Sequence, residues 1–382
     1  MSLQYFTPVA GLLGGSLIGL SAATLLLFNG DILGASGLMN SFIVAPVKTL
    51  SDPSQQWKLS FLAAFALTTR VYITLIDPDA LKDQRLGYGD ATVPIASPLA
   101  FIIGGFLVGF GTKLGNGCTT GHGICGIARM SKRSLAAVLS FMTTGIISAS
   151  ACSETCPLNP YLRTSYDSMV DNLPTDTTIT IGTVIASLAA GSALSGFLRK
   201  SPSPNATQAE KDEHTNNRRK IIPSILSAAL FAMGLAISKM TISSKIYGFL
   251  NVKGIKAGTW DPTLACVMGG GLAVSFLSYQ FVKGFNAFNN DKALECPLSQ
   301  KKDVGKFNVP NNKVIDKNLI AGEALFGVGW ATAGLCPGPA MFLAVAGYKH
   351  VLFRWWPSFY IGACLAEKVK NIQIGKNSPS KR

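Results

Sequence analysis

Long apolar stretches with very little charge recur along this chain and restrict the folds that it can adopt. Residues 1–47 contain no Lys or Arg, and their only acidic residue is Asp31. Over all 382 residues, 48% are hydrophobic and 14% are charged, whereas soluble domains average about 25% charged residues. Segments of about 20 apolar residues are typical of transmembrane helices. The sequence therefore predicts an all-α, polytopic membrane protein.

The apolar segments predict about nine spans, which lie near residues 9–28, 58–76, 98–113, 132–151, 178–198, 222–240, 262–282, 319–334 and 351–366. Arg70 interrupts the second span, and Glu323 lies near one end of the eighth. Most of the 34 Lys and Arg residues fall in one set of alternate loops. The positive-inside rule then predicts an outer N-terminus and a cytoplasmic C-terminus, in a multi-pass protein of the plasma membrane. The net charge of +14 belongs to these loops, so we expect no nucleic-acid partner.

A polar stretch divides the chain into two halves. Its sequence, RKSPSPNATQAEKDEHTNNRRK, has the composition of a linker. We therefore predict a first repeat half at residues 1–198, a cytoplasmic linker at 199–221, a second repeat half at 222–370 and a basic tail at 371–382.

The two halves share a glycine and cysteine pattern. GGFLVGFGTKLGNGC in the first half corresponds to GEALFGVGWATAGLC in the second. A single constant offset aligns Gly104 with Gly322, Gly109 with Gly327, Gly111 with Gly329 and Cys118 with Cys336. Five predicted spans separate the starts of the halves, and an odd number reverses the direction of the second half. The sequence thus predicts inverted repeats whose re-entrant loops and half-helices meet near the midplane, in an hourglass-like arrangement.

Two short loops carry the chemistry of this prediction: GNGCTTGHGICG and GLCPGPAMF. Irregular backbone persists at membrane depth only where protein or a water-lined path satisfies it. The glycines allow close approach to a ligand, and successive N–H groups can bind an anion. Pro337 and Pro339 suit the first turn of a half-helix, whose N-terminus also favours anions. A thiol adds a soft, polarizable contact, so the loops suit a sulfur-containing anion better than chloride or phosphate.

The candidate substrate-binding residues are Cys118, Cys336, Cys125, Asn116, Gly117, Thr119, Gly121, His122, Pro337 and Gly338. Cys125 either faces the path or packs in the core, and His122 either lines the path or braces the loop. The Cys-x3-His-x2-Cys spacing matches no common zinc pattern, and we expect neither a metal nor a cofactor. Arg70 either faces the interior or snorkels, and the outer Cys152 and Cys156 are a possible disulfide pair.

We expect a transporter and not an enzyme, because the chain shows neither a nucleotide-binding loop nor a Cys-x-x-Cys pair. One alternative is a membrane thiol oxidoreductase or sulfurtransferase that uses Cys118 with Cys125 or Cys336. A second alternative is a transporter of selenium compounds.

Residues 109–133, with GNGCTTGHGICGIARMSKRS, together with GLCPGP at 334–339, resemble the YeeE/YedE family of sulfur-compound transporters. The resemblance implies thiosulfate uptake through a narrow waist, where cysteine thiols hydrogen-bond the passing ion. Cys118 and Cys336 match the positions that carry this role. It also implies a cytoplasmic sulfur-carrier or sulfurtransferase as a partner. The chain departs from the bacterial pattern because it has no cysteine before Cys118.

Overall fold

The structure, a computed structural model, describes residues 5–44, 47, 49, 52–81, 95–96, 98–151, 161–162, 205–285, 293–302 and 305–377. Within them the α-helices are α1 (Pro8–Thr24), α2 (Ala35–Val44), α3 (Gln56–Val71), α4 (Pro98–Gly115), α5 (Lys132–Ala151), α6 (Gln208–Arg219), α7 (Ile221–Ile237), α8 (Ser243–Leu250), α9 (Gly254–Ala257), α10 (Thr263–Tyr279), α11 (Lys317–Ala333), α12 (Pro337–Ala346) and α13 (Trp356–Asn377). The described strands, β1 (Ile95–Ala96) and β2 (Tyr161–Leu162), form one short antiparallel pair.

Helical segments long and apolar enough to cross a membrane make this chain an integral membrane protein. Six of them lie in the described ranges, at Pro8–Asn29, Pro53–Ile76, Pro98–Gly115, Lys132–Ala151, Gln208–Ile237 and Lys317–Ala346. Helix α10 is apolar but shorter, with 17 residues. The predicted span at 178–198, Cys152 and Cys156 lie outside the described residues, as do 199–204 of the linker and 378–382 of the tail.

Several of these helices change their winding at one end. π-Helical turns extend α1 over Leu25–Asn29 and α3 over Tyr72–Ile76, and another at Val351–Trp355 precedes α13. A longer π-helix, Thr119–Gly126, follows α4 directly after Cys118. π-Helical turns are rare, and those that occur are often at functional sites. The π-helix after Cys118 is therefore a candidate functional segment.

An Asp-Pro pair marks the start of one long helix in each half. The Asp52 carboxylate accepts a hydrogen bond from the Ser54 N–H at 2.8 Å, before α3. The Asp261 carboxylate accepts one from the Thr263 N–H at 3.0 Å, before α10. Asp accepts from a free N–H group at each helix start; Pro53 opens a 3₁₀ turn before α3, and Pro262 is the N-cap of α10.

The predicted linker contains a helix where the structure describes it. The Thr207 hydroxyl accepts from the Glu210 N–H, and the Glu210 carboxylate accepts from the Thr207 N–H. This reciprocal capping box starts α6, and basic residues in its last turn complement the helix dipole. Local capping therefore outweighs the loop-like composition of residues 207–219.

Helices α4 and α11 cross in antiparallel orientation at a glycine-rich contact. A Cβ on Gly104 would lie 2.9 Å from the Gly329 carbonyl oxygen, and one on Gly111 would lie 2.5 Å from the Gly322 carbonyl oxygen. These distances leave no space for a side chain. Small residues let membrane helices approach this closely, so the glycine pattern fixes the central crossing.

Helices α1 and α7 are also antiparallel. Gly14 contacts Gly234 near one end of the pair, and the hydroxyls of Ser21 and Ser227 lie 2.8 Å apart further along. Helix α1 runs parallel to α10. Gly15 packs on Val267, and four residues later in both helices Gly19 packs on Gly271.

The outer helices α13 and α5 pack in parallel on the central pair α4 and α11. Gly109 of α4 packs against Phe359 of α13, and Gly327 of α11 packs against Phe141 of α5. The Ser140 hydroxyl donates to the Ile320 carbonyl at 3.0 Å. This four-helix group holds the loops that follow α4 and α11 in the interior.

Candidate functional site

The two predicted cysteine loops share one local geometry. Cys118 immediately precedes the π-helix Thr119–Gly126, and Cys336 immediately precedes α12. Both cysteines have extended backbone, with φ −150° and ψ −170° at Cys118 and φ −102° and ψ 169° at Cys336. Each thiol therefore sits at the N-terminus of a short helical segment, where the first backbone N–H groups have no acceptor within the helix; in the first turn of α12, Pro337 and Pro339 contribute no N–H.

The two loops meet in the interior. Thr119 and Cys336 are neighbours that line the same cavity. The Cys118 sulfur lies 3.2 Å from the Thr120 hydroxyl, which also accepts from the Ala35 N–H at 3.2 Å. Cys118 is 1% exposed. The structure thus brings Cys118, Thr119 and Cys336 together at one narrow contact.

Cys125 and Pro337 have packing positions. The Cys125 thiol donates to the Leu33 carbonyl at 3.5 Å and is buried. Pro337 is the first residue of α12 and is also buried. Neither residue lines the polar or the apolar cavity of the site. Cys125 and Pro337 therefore affect the two loops through the packing of the π-helix and of α12.

A polar cavity of about 680 Å³ lies on one side of the contact. Four of the predicted site residues line it: Asn116, Gly117, Gly121 and His122. Other lining groups come from α2 and from the segment around Asp52. The cavity is large enough to hold several water molecules, which makes it a hydrated vestibule next to the first cysteine loop.

An apolar cavity of about 300 Å³ lies on the other side. Thr119, Cys336 and Gly338 line it together with aliphatic and aromatic side chains such as Phe231 and Met268. Seven of the ten predicted site residues are therefore divided between two cavities, and Cys118 is buried without lining either.

Three basic and two acidic side chains line the polar cavity. Arg133 pairs with Asp316 at 3.5 Å, and Lys113 pairs with Glu367 at 2.9 Å. Arg129 donates to the neutral Pro310 carbonyl at 2.6 Å, a contact that leaves its positive charge in place. This wall can attract an anion toward the loops.

His122 and Asn116 support the first loop. The His122 Nδ1 atom lies 3.1 Å from the Ser134 hydroxyl, and its ring covers Gly117 so closely that a Cβ there would overlap it. Asn116 adopts φ 64°, a left-handed conformation that Asn tolerates, and accepts from Lys370 at 2.6 Å. His122 thus lines the cavity and braces the loop at the same time. In the described part of the chain, no group of three or more His, Cys, Asp or Glu is placed to hold a metal ion.

Glu323 belongs to this site, although we had not placed it among the candidate residues. Its carboxylate, on α11, is fully buried and lies 3.5 Å from the His122 Nε2 atom. The available signal was a carboxylate inside an apolar span, since such residues are rare and usually functional.

Arg70 is buried at the end of α12. It is 1% exposed, and its guanidinium donates to the Ala346 carbonyl at 3.3 Å. A cation at the C-terminus of a helix stabilises the negative end of its dipole. Arg70 therefore faces the interior, where it anchors the half-helix that begins after Cys336.

Comparison with known proteins agrees with these features. The sequence model of a family described as sulphur transport matches residues 92–147, and that of a family of unknown function, DUF6691, matches residues 219–370. A probable transporter from Xylella fastidiosa strain Temecula1 is 34% identical over 139 residues, which are 36% of this chain and 83% of that protein. Another from the same strain is 36% identical over 146 residues, 38% of this chain and 93% of that protein.

The first of the family matches includes α4, the Cys118 loop and most of α5, and the second includes α11 and the Cys336 loop. The two relatives are 34% and 36% identical to this chain over 83% and 93% of their own lengths. The chain therefore belongs to the sulphur-transport family of the YeeE/YedE type.

Proposed function

We propose that this membrane protein transports thiosulfate or a related sulfur-containing anion through the waist between its two cysteine loops. Membership of the sulphur-transport family and similarity to probable transporters support transport. The observation that carries the proposed route is that Thr119 and Cys336 are neighbours beside Cys118, where the loops line a polar and an apolar cavity.

The chemistry of the waist favours a sulfur dianion. The start of the π-helix Thr119–Gly126 supplies N–H donors for charged oxygens, and the thiols of Cys118 and Cys336 supply soft contacts for a terminal sulfur. The basic wall of the polar cavity, which includes Arg129, concentrates the anion on one side. Sulfate has the same charge but no terminal sulfur, so the thiols distinguish the two ions.

The apolar cavity forms the barrier to permeation. A hydrated dianion loses favourable solvation when it enters a space lined by Phe231, Met268 and similar side chains. Such constrictions gate permeation by excluding water. In this conformation the waist is closed, because Cys118 is only 1% exposed, and transport requires the two loops to separate.

We further propose two inverted halves, at residues 1–198 and 222–370, with nine spans in total. The antiparallel pairs α1 with α7 and α4 with α11 support this arrangement, because the members of each pair occupy the same place in their halves. The contacts also repeat at the same constant offset: Gly109 with Phe359 corresponds to Gly327 with Phe141, and Gly104 with Gly329 corresponds to Gly322 with Gly111. Such reciprocity is expected of a two-fold related interface.

The orientation and location remain part of this proposal. Lys and Arg in alternate loops favour an outer N-terminus and a cytoplasmic C-terminus in the plasma membrane. The basic polar cavity then opens toward the cytoplasm, and a sulfurtransferase or sulfur-carrier protein there would consume the imported ion and maintain its gradient.

Uptake of radiolabelled thiosulfate into liposomes that contain the purified full chain tests the proposal. We expect saturable uptake that unlabelled thiosulfate inhibits and sulfate does not, with sulfite and selenate as further competitors. Uptake no faster than in protein-free liposomes would contradict transport. Conversion of thiosulfate to other sulfur species at the membrane would instead support the thiol oxidoreductase or sulfurtransferase alternative.

A further inference from the structure

The Glu323 carboxyl group is buried beside the waist without hydrogen bonds. It is 0% exposed, and neither carboxylate oxygen has a hydrogen-bond partner among the described residues. The nearby polar atom is His122 Nε2, at 3.5 Å, which likewise lacks a hydrogen bond in the described residues. A buried carboxylate in this setting is costly unless a proton or a cation neutralises it.

His122 connects this carboxyl group to the polar cavity. The ring lines the cavity, and its second nitrogen lies 3.1 Å from the Ser134 hydroxyl. The imidazole can therefore exchange a proton with water in the cavity and pass it to Glu323. In such an exchange, hydronium loses a proton to the imidazole, an N–H bond forms and a water molecule remains.

One proton suffices to neutralise the pair. It resides either on Glu323, as a carboxylic acid beside a neutral ring, or on His122, as an imidazolium beside a carboxylate. Without that proton a bare negative charge remains close to Cys118 and repels an incoming dianion. The titration belongs to the pair and not to either residue.

Other charged and titratable groups around the pair come from α4, the π-helix, α5, the segment before α11, and α13. They are Lys113, Cys118, Arg129, Arg133, Asp316, Glu367 and Lys370, which donates to Asn116. The ion pairs Lys113–Glu367 and Arg133–Asp316 largely cancel, and Arg129 stays cationic because the guanidinium does not deprotonate in proteins. Glu323 and His122 thus provide the exchangeable charge nearest to the waist.

We propose that Glu323 and His122 together hold one exchangeable proton, and that the waist accepts a sulfur dianion only while this proton is bound. Thiosulfate movement is then coupled to proton movement. The coupling rests on the proposed transport function, whereas the existence of the proton site can be tested without it.

The first test measures thiosulfate accumulation in liposomes with the membrane potential clamped near zero and the outside more acidic. One coupled proton allows about tenfold accumulation per pH unit of gradient, since each tenfold ratio corresponds to about 1.4 kcal/mol. Glu323→Gln keeps the size and neutrality of the protonated form. We expect it to lose the gradient-driven accumulation, measured as the steady-state ratio of thiosulfate inside to outside, which does not depend on the rate of transport.

Glu295→Gln is the control, because Glu295 is exposed, pairs with Lys283 and lines neither cavity. It should accumulate thiosulfate like the wild type. Accumulation by Glu323→Gln equal to that of the wild type would overturn the coupling. Wild-type flux that does not respond to the pH gradient would overturn it as well.

A second measurement reads the proton site directly. Infrared difference spectra of the purified wild-type protein at low and high pH should show the carbonyl band of a buried carboxylic acid. This band should be absent in Glu323→Gln, and its pH dependence should change in His122→Gln. If the wild type transports no thiosulfate at all, the proposed function fails, and this spectrum still decides the proton site. A spectrum without that band, or one unchanged in both variants, would refute it. If Glu323→Gln does not insert, His122→Gln is tested in its place in both assays.

Discussion

Gly117→Ala is expected to damage the site by displacing His122. A Cβ on Gly117 would overlap the Cδ2 and Nε2 atoms of the His122 ring, closer than the 3.4–4 Å of ordinary contact. The ring must move by about 1 Å to restore that contact. It then loses its 3.1 Å approach to Ser134, its 3.5 Å approach to Glu323, or both.

The cost follows from overpacking of a buried position. Such changes typically destabilise a protein by about 1–3 kcal/mol, and the altered His122 position should also slow thiosulfate uptake. Gly121→Ala is the matched control, because Gly121 lies in the same loop and lines the same cavity, while a Cβ there meets nothing within 4 Å. Thermal unfolding in detergent and uptake in liposomes measure both effects. Equal stability and equal uptake of the two variants would refute the reasoning.

Two further variants test the packing that positions the site. Gly111→Ala should destabilise the α4–α11 crossing by about 1–3 kcal/mol, because its Cβ would lie 2.5 Å from the backbone oxygen of Gly322. The control Gly269→Ala, with open space around it, should unfold at the wild-type temperature. A similar loss of stability in both variants would contradict this expectation. Asp261→Ala should cost about 1.5–3 kcal/mol, since buried Lys245 loses its 3.0 Å ion-pair partner but keeps its hydrogen bonds to Tyr5 and Thr7, and the Thr263 N–H loses its acceptor. An unchanged unfolding temperature of that variant in detergent would show that the pair contributes nothing.

The local features of this fold could be predicted from the sequence because they depend on neighbouring residues. Apolar length predicted the six described segments that are long and apolar enough to cross a membrane, and the Gly-Cys patterns predicted both loops. Helix α6 was missed because the composition of residues 199–221 resembles a loop, while the Thr207–Glu210 capping box that starts the helix involves only two residues.

The features that sequence reasoning missed depend on long-range packing. His122 and Glu323 lie in different halves of the chain and meet only because α4 and α11 cross at their glycines. The packing of Cys125 against the Leu33 carbonyl likewise required the position of the segment before α2. The spacing of Cys125 from Cys118 did not decide whether its side chain faces the path or packs in the core, because a thiol suits both environments.

Thiosulfate uptake by Cys118→Ala and Cys336→Ala in liposomes most directly tests whether the two thiols line the path. A hydrogen bond to a charged group contributes about 1.5–3 kcal/mol, so each variant should transport at least about tenfold more slowly while still inserting. Cys266→Ala, which alters a cysteine of α10 that lines neither cavity, should retain the wild-type rate. Wild-type uptake by both loop variants would contradict a route between the two cysteines.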